Sequence, residues 1–410
     1  MCLSIAEEQL IELAKRFGTP LYVYDEKRIR ENFGEFRAAF PGAKICYAYK
    51  ANTSLAICSI LRQEGAAADV VSQGELRMAL KVGVKPEDII FTNNAKTKEE
   101  LEFAIDSGVI IDVDSLDELN SISEIGKPAK ISFRVNPAVD PKTHPKIATG
   151  MKDSKFGLHL EGDIALEAYK KAKELGIEIA GVQMHIGSQI TDMTAFEDAT
   201  KKLMDFVLQL KESGITLKFI DIGGGLGISY EGEDTPKPKD LAAKVLPIIK
   251  EYYTKIGYES ELWLEPGRYL VANAGVLLCQ VQSVKKTPYK NFVNVDCGFN
   301  TLARPVLYDS FHRIKVLGKK GSEETYDIAG NICESGDILG KDRELPAVEK
   351  GDVLAVLDAG AYGFSMASQY NCRPRPAEIL VRENSVEVIR ERETWDDLWR
   401  GEKVPDDLNK

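Results

Sequence analysis

KICYAYKANTSLAICSILRQEGAAADVV (44–71) opens on a short apolar run, passes through a segment with apolar residues at helical spacing, and closes on a second apolar run. That alternation reads as strand, helix, strand, and it continues from residue 26 to 268. Strand candidates are KICYAY (44–49), ADVV (68–71), DIIF (88–91), VIIDV (109–113), KISFRV (130–135), IAGVQMHIG (179–187), LKFIDIG (217–223) and ELWLEP (261–266). Helical patterns fall between them at 54–64, 74–82, 97–107, 115–125, 163–175, 194–213 and 240–256. Short apolar strands alternating with helices predict a parallel sheet covered by helices. Eight such strands predict an α/β fold of the closed (β/α)8 type rather than an open doubly wound sheet, and no GxGxxG follows the first strand.

After residue 269 the texture changes. GVLLCQVQSVKK, FVNVDCGF, EETYDIAG, DVLAVLDAG, AEILVREN and SVEVIRE are strand-like and separated by turns. They predict a C-terminal, mostly antiparallel β domain, which LYVYD (21–25) joins from the N-terminal side. The expected division is therefore a barrel over 26–268 and a β-rich domain made of 1–25 and 269–410. A short helix and a frayed end are expected after residue 394.

Composition narrows the function. The chain has 410 residues, enough for two or three domains with a sizeable core. Its 53 basic and 64 acidic residues give a formal charge of −11, with no basic run to meet nucleic acid or an anionic membrane. The N-terminal MCLSIAEEQLIELAKRFGTP reads as an amphipathic acidic helix, and no apolar run of about 18 residues occurs, so a cytoplasmic protein is expected. Cys2, Cys46, Cys58, Cys279, Cys297, Cys333 and Cys372 are scattered without a CxxC pair, and His144, His159, His185 and His312 lie far apart. Neither a disulfide framework nor a metal site is expected.

Several residues at strand ends could carry chemistry. Lys50 closes the first strand, where barrels place their sites, and a partly desolvated amine there suits a Schiff base. Its plain alternative is a solvated strand-end lysine. DIGGGLGISY (221–230) could wrap backbone N–H groups around a phosphate, or could simply be a tight turn. HIGSQI (185–190) ends the sixth strand with an imidazole suited to a ring face and with Ser188 suited to a phosphate, although a lone His is more often a core residue. EPGR (265–268) sets Glu265 and Arg268 at the eighth strand end, as an ion pair or as partners for a pyridinium nitrogen and an anion. In the β domain, RPVLYDSFH (304–312) sets Arg304 four residues from Tyr308, CESGD (333–337) sets a thiol beside a carboxylate, and GAYGFSMASQYNCRPRPAEIL (360–380) is Gly- and Tyr-rich. Imine, ring face, phosphate and ring nitrogen are the four grips that pyridoxal phosphate requires.

YAYKAN, ADVVSQGEL, SKFGL, HIGSQI, DIGGGLGI, EPGRYLVANAGVLL, CESGD and GAYGFSMASQYNCRPRPAEIL together resemble the alanine-racemase-fold decarboxylases that use pyridoxal phosphate, most closely the diaminopimelate decarboxylases. The resemblance runs from about residue 18 to 382. It departs at Cys372, where a small hydroxyl residue is usual, and at TNNAKT (92–97), which replaces a more glycine-rich version. It implies decarboxylation of meso-diaminopimelate to L-lysine as the last step of lysine biosynthesis. Lys50 would carry the cofactor, and Asp69, Pro266, Gly267 and Arg268 would belong to its pocket. His185 would stack on the ring, while Ser188, Gly224 and Gly225 would hold the phosphate. Glu265 would keep the ring nitrogen protonated. Arg268, Arg304 and Tyr308 would bind substrate carboxylate, and Cys333 would be the proton donor. Glu334 would take the distal ammonium, and Tyr362 would touch both cofactor and substrate. In this family Cys333 and Glu334 reach the site from a neighbouring subunit, so the resemblance implies a homodimer with shared active sites. A substrate with two amino-acid ends asks for a cation and an anion at its far end, which Arg304 and Glu334 supply. Asp309 keeps open the alternative of a decarboxylase for ornithine, lysine or a related basic amino acid.

Overall fold

The computed structural model describes residues 4–321 and 323–408; Cys2, with the rest of the first three residues of the expected N-terminal helix, and the last two residues of the tail lie outside them. The chain divides into two compact units, one spanning residues 29–272 and one combining 1–28 with 273–410.

The first unit is the closed parallel barrel expected from the alternation. Its strands are β1 (Lys44–Ala48), β2 (Ala67–Val70), β3 (Ile89–Thr92), β4 (Ile110–Val113), β5 (Lys130–Asn136), β6 (Glu178–Met184), β7 (Phe219–Asp221) and β8 (Glu261–Leu264). Each pairs in parallel with its neighbours, and β8 returns to β1. β7 is shorter than its apolar run because the glycines from Gly223 onward leave the strand, and β6 stops at Met184, so His185 lies just past it. One helix, Glu26–Ala39, was not anticipated, because its many charges mask its apolar face. Ile29, Phe33, Phe36 and Phe40 recur at helical spacing and are all buried. Side-chain caps fix several helix starts, as where the Ser72 hydroxyl accepts from the Glu75 amide and Thr97 and Glu100 form a capping box. In TNNAKT the fully buried Lys96 ammonium donates to the Asp112 carbonyl and to the Glu118 carboxylate, each at 2.7 Å.

Side chains alternate along a strand, so the barrel interior is built in layers. Cys46, Ala67, Ile90, Ile110, Ala180, Phe219 and Trp263 form one apolar cluster, with the Phe219 and Trp263 rings stacked 4.1 Å apart. Two residues further along their strands, on the same face and nearer the C-terminal ends, stand Asp69, Thr92, Asp112, Asp221 and Glu265, all buried. An apolar floor thus lies below an acidic layer.

The second unit is a mixed sheet in which antiparallel neighbours outnumber parallel ones. Its long strand Gly275–Lys286 pairs antiparallel with Leu21–Asp25, Asn291–Val295 and Val353–Val356. Leu21–Asp25 in turn pairs in parallel with Ala377–Val381, so the N-terminal strand lies inside this sheet. Leu10, Leu13 and Ala14 of helix Glu7–Phe17 pack into its core with Leu21, Val23, Val276 and Ile379. Past Thr394 the chain forms the short helix Trp395–Leu398.

Burial pushes the Asp112 carboxyl up to about 7, despite the hydrogen bond from Ser132 Oγ at 2.6 Å and the nearby cations Lys96 and Arg134. Between pH 4 and 7 the folded chain therefore keeps a proton that the unfolded chain has lost, so this group's contribution is fully present in acid and disappears as pH rises to about 7. Asp112→Asn keeps an acceptor for Ser132 and cannot ionise. Its stability should fall less than the parent's between pH 5 and 8, with the gap reaching on the order of 1–4 kcal/mol. Denaturant midpoints across that range check this; parallel pH curves for the two proteins would refute it.

Candidate active site

Lys50 sits in the single helical turn Tyr49–Ala51 that follows β1. Its Nζ is ion-paired with the carboxylate of Asp69, whose side chain has no exposure at all. The other Asp69 oxygen accepts from Thr92 Oγ1 on β3. Three neighbouring strands thus fix one amine at the C-terminal rim of the barrel, with its own side chain one-third exposed.

The loops after β6 and β7 are tied together. Gln189 donates from Nε2 to the Ile228 carbonyl at 2.6 Å and accepts from the Ile228 amide at 3.2 Å. The glycines between them are there for close approach. A Cβ on Gly224 would sit 2.0 Å from the Glu265 carbonyl oxygen, and one on Gly225 would sit 2.2 Å from that of Gly187, with Gly225 also at φ +108°. The Gly224 amide donates to His185 Nδ1 at 3.3 Å, which leaves the ring proton on Nε2. Desolvation, Arg134 and Lys50 hold the His185 imidazole well below its ordinary value, so the ring is neutral. Ser188 Oγ accepts from Arg268 Nη2 at 2.9 Å, and Arg268 Nη1 donates to Tyr230 Oη at 2.8 Å. Arg268 is buried and begins the short helix Arg268–Val271, with Pro266 and Gly267 leading into it. The Pro266 carbonyl accepts from the Ala48 amide at 3.2 Å, which joins the ends of β8 and β1.

Glu265 accepts from Gln183 Nε2 at 2.9 Å through one oxygen, while its Oε1 is buried. Asp221 accepts from the Gly223 amide at 2.7 Å through Oδ1, and its Oδ2 is likewise buried. Burial, with repulsion from Asp112 and Asp69, raises Asp221 far above the carboxylate range despite its side-chain hydrogen bond with Glu265, and burial with repulsion from Asp221, Asp69 and Asp112 raises Glu265 likewise. The pair therefore retains a proton, which the two carboxyls share through their side-chain hydrogen bond, and it offers a buried acid to meet a cationic N–H.

In the β domain, Arg304 opens the five-residue helix Arg304–Tyr308 and is buried. Its Nη1 lies 2.8 Å from His312 Nε2, and its Nη2 donates to Ser310 Oγ at 3.3 Å. Tyr308 is half-buried, and Asp309 is exposed in a left-handed conformation just past the helix. Cys333 and Glu334 are exposed on a turn anchored from below. The Asp337 carboxylate accepts the Phe299 amide at 2.7 Å and the Ile332 amide at 2.8 Å. The Cys333 amide donates to Asn371 Oδ1 at 3.0 Å, and Tyr370 Oη donates to Glu334. Tyr362 is half-buried with φ +56°, followed by Gly363, where a Cβ would meet the Ala359 carbonyl oxygen at 2.4 Å. Cys372 is exposed.

Lys50, Asp69, His185, Ser188, Gly224, Gly225, Glu265, Pro266, Gly267 and Arg268 all belong to the loops and strand ends of the barrel unit. Arg304, Tyr308, Cys333, Glu334 and Tyr362 belong to the other unit. The sequence reading passed over Thr92, Gln183 and Asp221, which complete the polar layer, and Tyr370, Asn371 and His312, which hold named residues in place. A signal existed for Asp221: an acid in an apolar strand two residues beyond an inward-facing aromatic. His312 and Asn371 gave none.

A family model described as the pyridoxal binding domain of pyridoxal-dependent decarboxylases matches residues 26–272. The diaminopimelate decarboxylase of Archaeoglobus fulgidus is 47% identical, covering 98% of this chain and 97% of that protein. That of Methanothermobacter thermautotrophicus is 48% identical, covering 98% and 96%. The crystal structure of the Methanocaldococcus jannaschii diaminopimelate decarboxylase in complex with L-lysine superposes with a TM-score of 0.93 at 46% identity, covering 97% of this chain and 95% of that one. The barrel rim fits pyridoxal phosphate on its own evidence. It offers an amine, a neutral imidazole, a Ser188 hydroxyl held by the Arg268 guanidinium, and a buried Asp221–Glu265 acid pair for a ring N–H. With a model match across the barrel and near-full-length identity, the chain belongs to the pyridoxal-dependent decarboxylases and, among them, to the diaminopimelate decarboxylases.

Proposed function

We infer the following division of labour for this enzyme's reaction, the decarboxylation of meso-diaminopimelate to L-lysine and CO2. Pyridoxal phosphate, when bound, supplies a conjugated ring that accepts the electron pair left as CO2 departs. Lys50 Nζ, aimed by Asp69 and Thr92, is the amine that carries it. His185, neutral and fixed by the Gly224 amide, would meet the ring face, and Glu265 would keep a proton at the ring nitrogen. Ser188, Gly224, Gly225 and Arg268 would hold the phosphate, and Pro266 and Gly267 would shape the same wall. Arg304 and Tyr308 bind the distal carboxylate of the substrate, and Glu334 binds its distal ammonium. Cys333 Sγ delivers a proton to the carbon that has lost CO2. Tyr362 contacts both cofactor and substrate. Cys333 and Glu334 act in the site of a second copy of the chain, so the working unit is a homodimer, and its compartment is the cytoplasm. Among the described residues no helix is long and apolar enough to cross a membrane.

The conjunction at one barrel rim of the Lys50 amine, a neutral His185 and the buried Asp221–Glu265 acid pair carries this reading. The alternative of a simpler basic amino acid rested on Asp309, whereas the relatives at 47% and 48% identity over nearly the whole chain are diaminopimelate decarboxylases.

Lys50→Ala should abolish both the visible absorbance of the bound cofactor and CO2 release; persistence of either would refute the assignment. Cys333→Ala should keep that absorbance and lose about 10²- to 10⁴-fold in turnover, and unchanged kinetics would remove the thiol from the chemistry. In a substrate panel, meso-diaminopimelate should be strongly preferred over ornithine and lysine, and Arg304→Ala should erase that preference. A parent enzyme that favours ornithine would overturn the substrate.

A further inference from the structure

We propose that His312 is a positioning residue, holding the Arg304 guanidinium in place for the substrate's distal carboxylate through an acceptor that itself carries no charge. The inference rests on the assignment of that carboxylate to Arg304. His312 has no solvent exposure, and Arg304 is 3% exposed. His312 Nδ1 lies 2.8 Å from the Leu357 carbonyl oxygen, which can only accept, so the ring proton is on Nδ1. Nε2 is then a lone pair, and it accepts from Arg304 Nη1 at 2.8 Å. A protonated ring would set an N–H against an N–H and a cation against a cation, so this geometry selects the neutral tautomer. The backbone enforces the pairing: the Leu357 amide donates to the Arg313 carbonyl at 2.8 Å, which locks the residue after His312 to the end of strand Val353–Val356.

The residue type explains the choice. A carboxylate at this position would hold the guanidinium equally well but would cancel its charge and weaken its pull on an anionic ligand. Imidazole and the Ser310 hydroxyl accept hydrogen bonds without adding charge. His312 and Ser310 thus help to position Arg304 without themselves adding negative charge beside it.

L-Lysine and cadaverine separate this role from general damage, because they differ only by the carboxylate that the substrate retains at its distal end. Both are assayed as competitive inhibitors of the holoenzyme. His312→Phe, which fills the space without an acceptor, should weaken L-lysine by about 10- to 100-fold and cadaverine by less than about twofold. His312→Gln, a neutral acceptor, should recover most of that loss. His312→Glu, an acceptor bearing charge, should not. Equal losses for both inhibitors, or equal L-lysine affinity in the Gln and Glu variants, would overturn the proposal, and the Gln–Glu comparison decides the matter should the Phe variant fail to fold. Arg304→Ala is the control. If it leaves the L-lysine to cadaverine ratio unchanged, the assignment of Arg304 itself is wrong. If it alone shifts the ratio, His312 is structural.

Discussion

A carboxylate with no access to water holds the amine on which the chemistry depends. Asp69 is fully buried, and its oxygens are taken by Lys50 and Thr92. A bare buried charge is expensive, so the pair and the hydroxyl constrain one another and fix where Nζ stands. An exposed lysine at a strand end would sample many rotamers. Here three adjacent strands leave it one environment.

The same layer that supplies Asp69 supplies the rest of the electrostatics. Two-residue periodicity puts an acid one step above each of several apolar floor residues, and closure of the ring removes those acids from water together. Crowded and desolvated, Asp221 and Glu265 retain a proton that their side-chain hydrogen bond shares. The barrel end is therefore ready for a ring N–H before any ligand arrives. His185 is tuned the opposite way by the same burial and by the charges of Lys50 and Arg134.

The β domain follows a different rule. Its buried cation, Arg304, is met by the neutral groups of His312 and Ser310, and its exposed thiol and carboxylate sit on a turn pinned by Asp337, Asn371 and Tyr370. Here hydrogen-bond geometry positions the functional groups.

Local patterns in the sequence determined much of this. Apolar runs spaced by helical stretches specify the barrel, because strand and helix periodicities are properties of neighbouring residues. Helix Glu26–Ala39 escaped because its charges outnumber Ile29, Phe33 and Phe36, the three large apolar residues that bury its face. Lys50, His185, the glycine run and Glu265 were legible because each closes a strand, and barrel strands end at the site. That Asp221 shares the fate of Glu265, that Asp69 grips Lys50, or that His312 serves Arg304 through the carbonyl of Leu357 could be decided only by the tertiary structure. Those contacts join positions 19 to 45 residues apart, and burial, which sets their protonation, exists only once the ring and the sheet have closed.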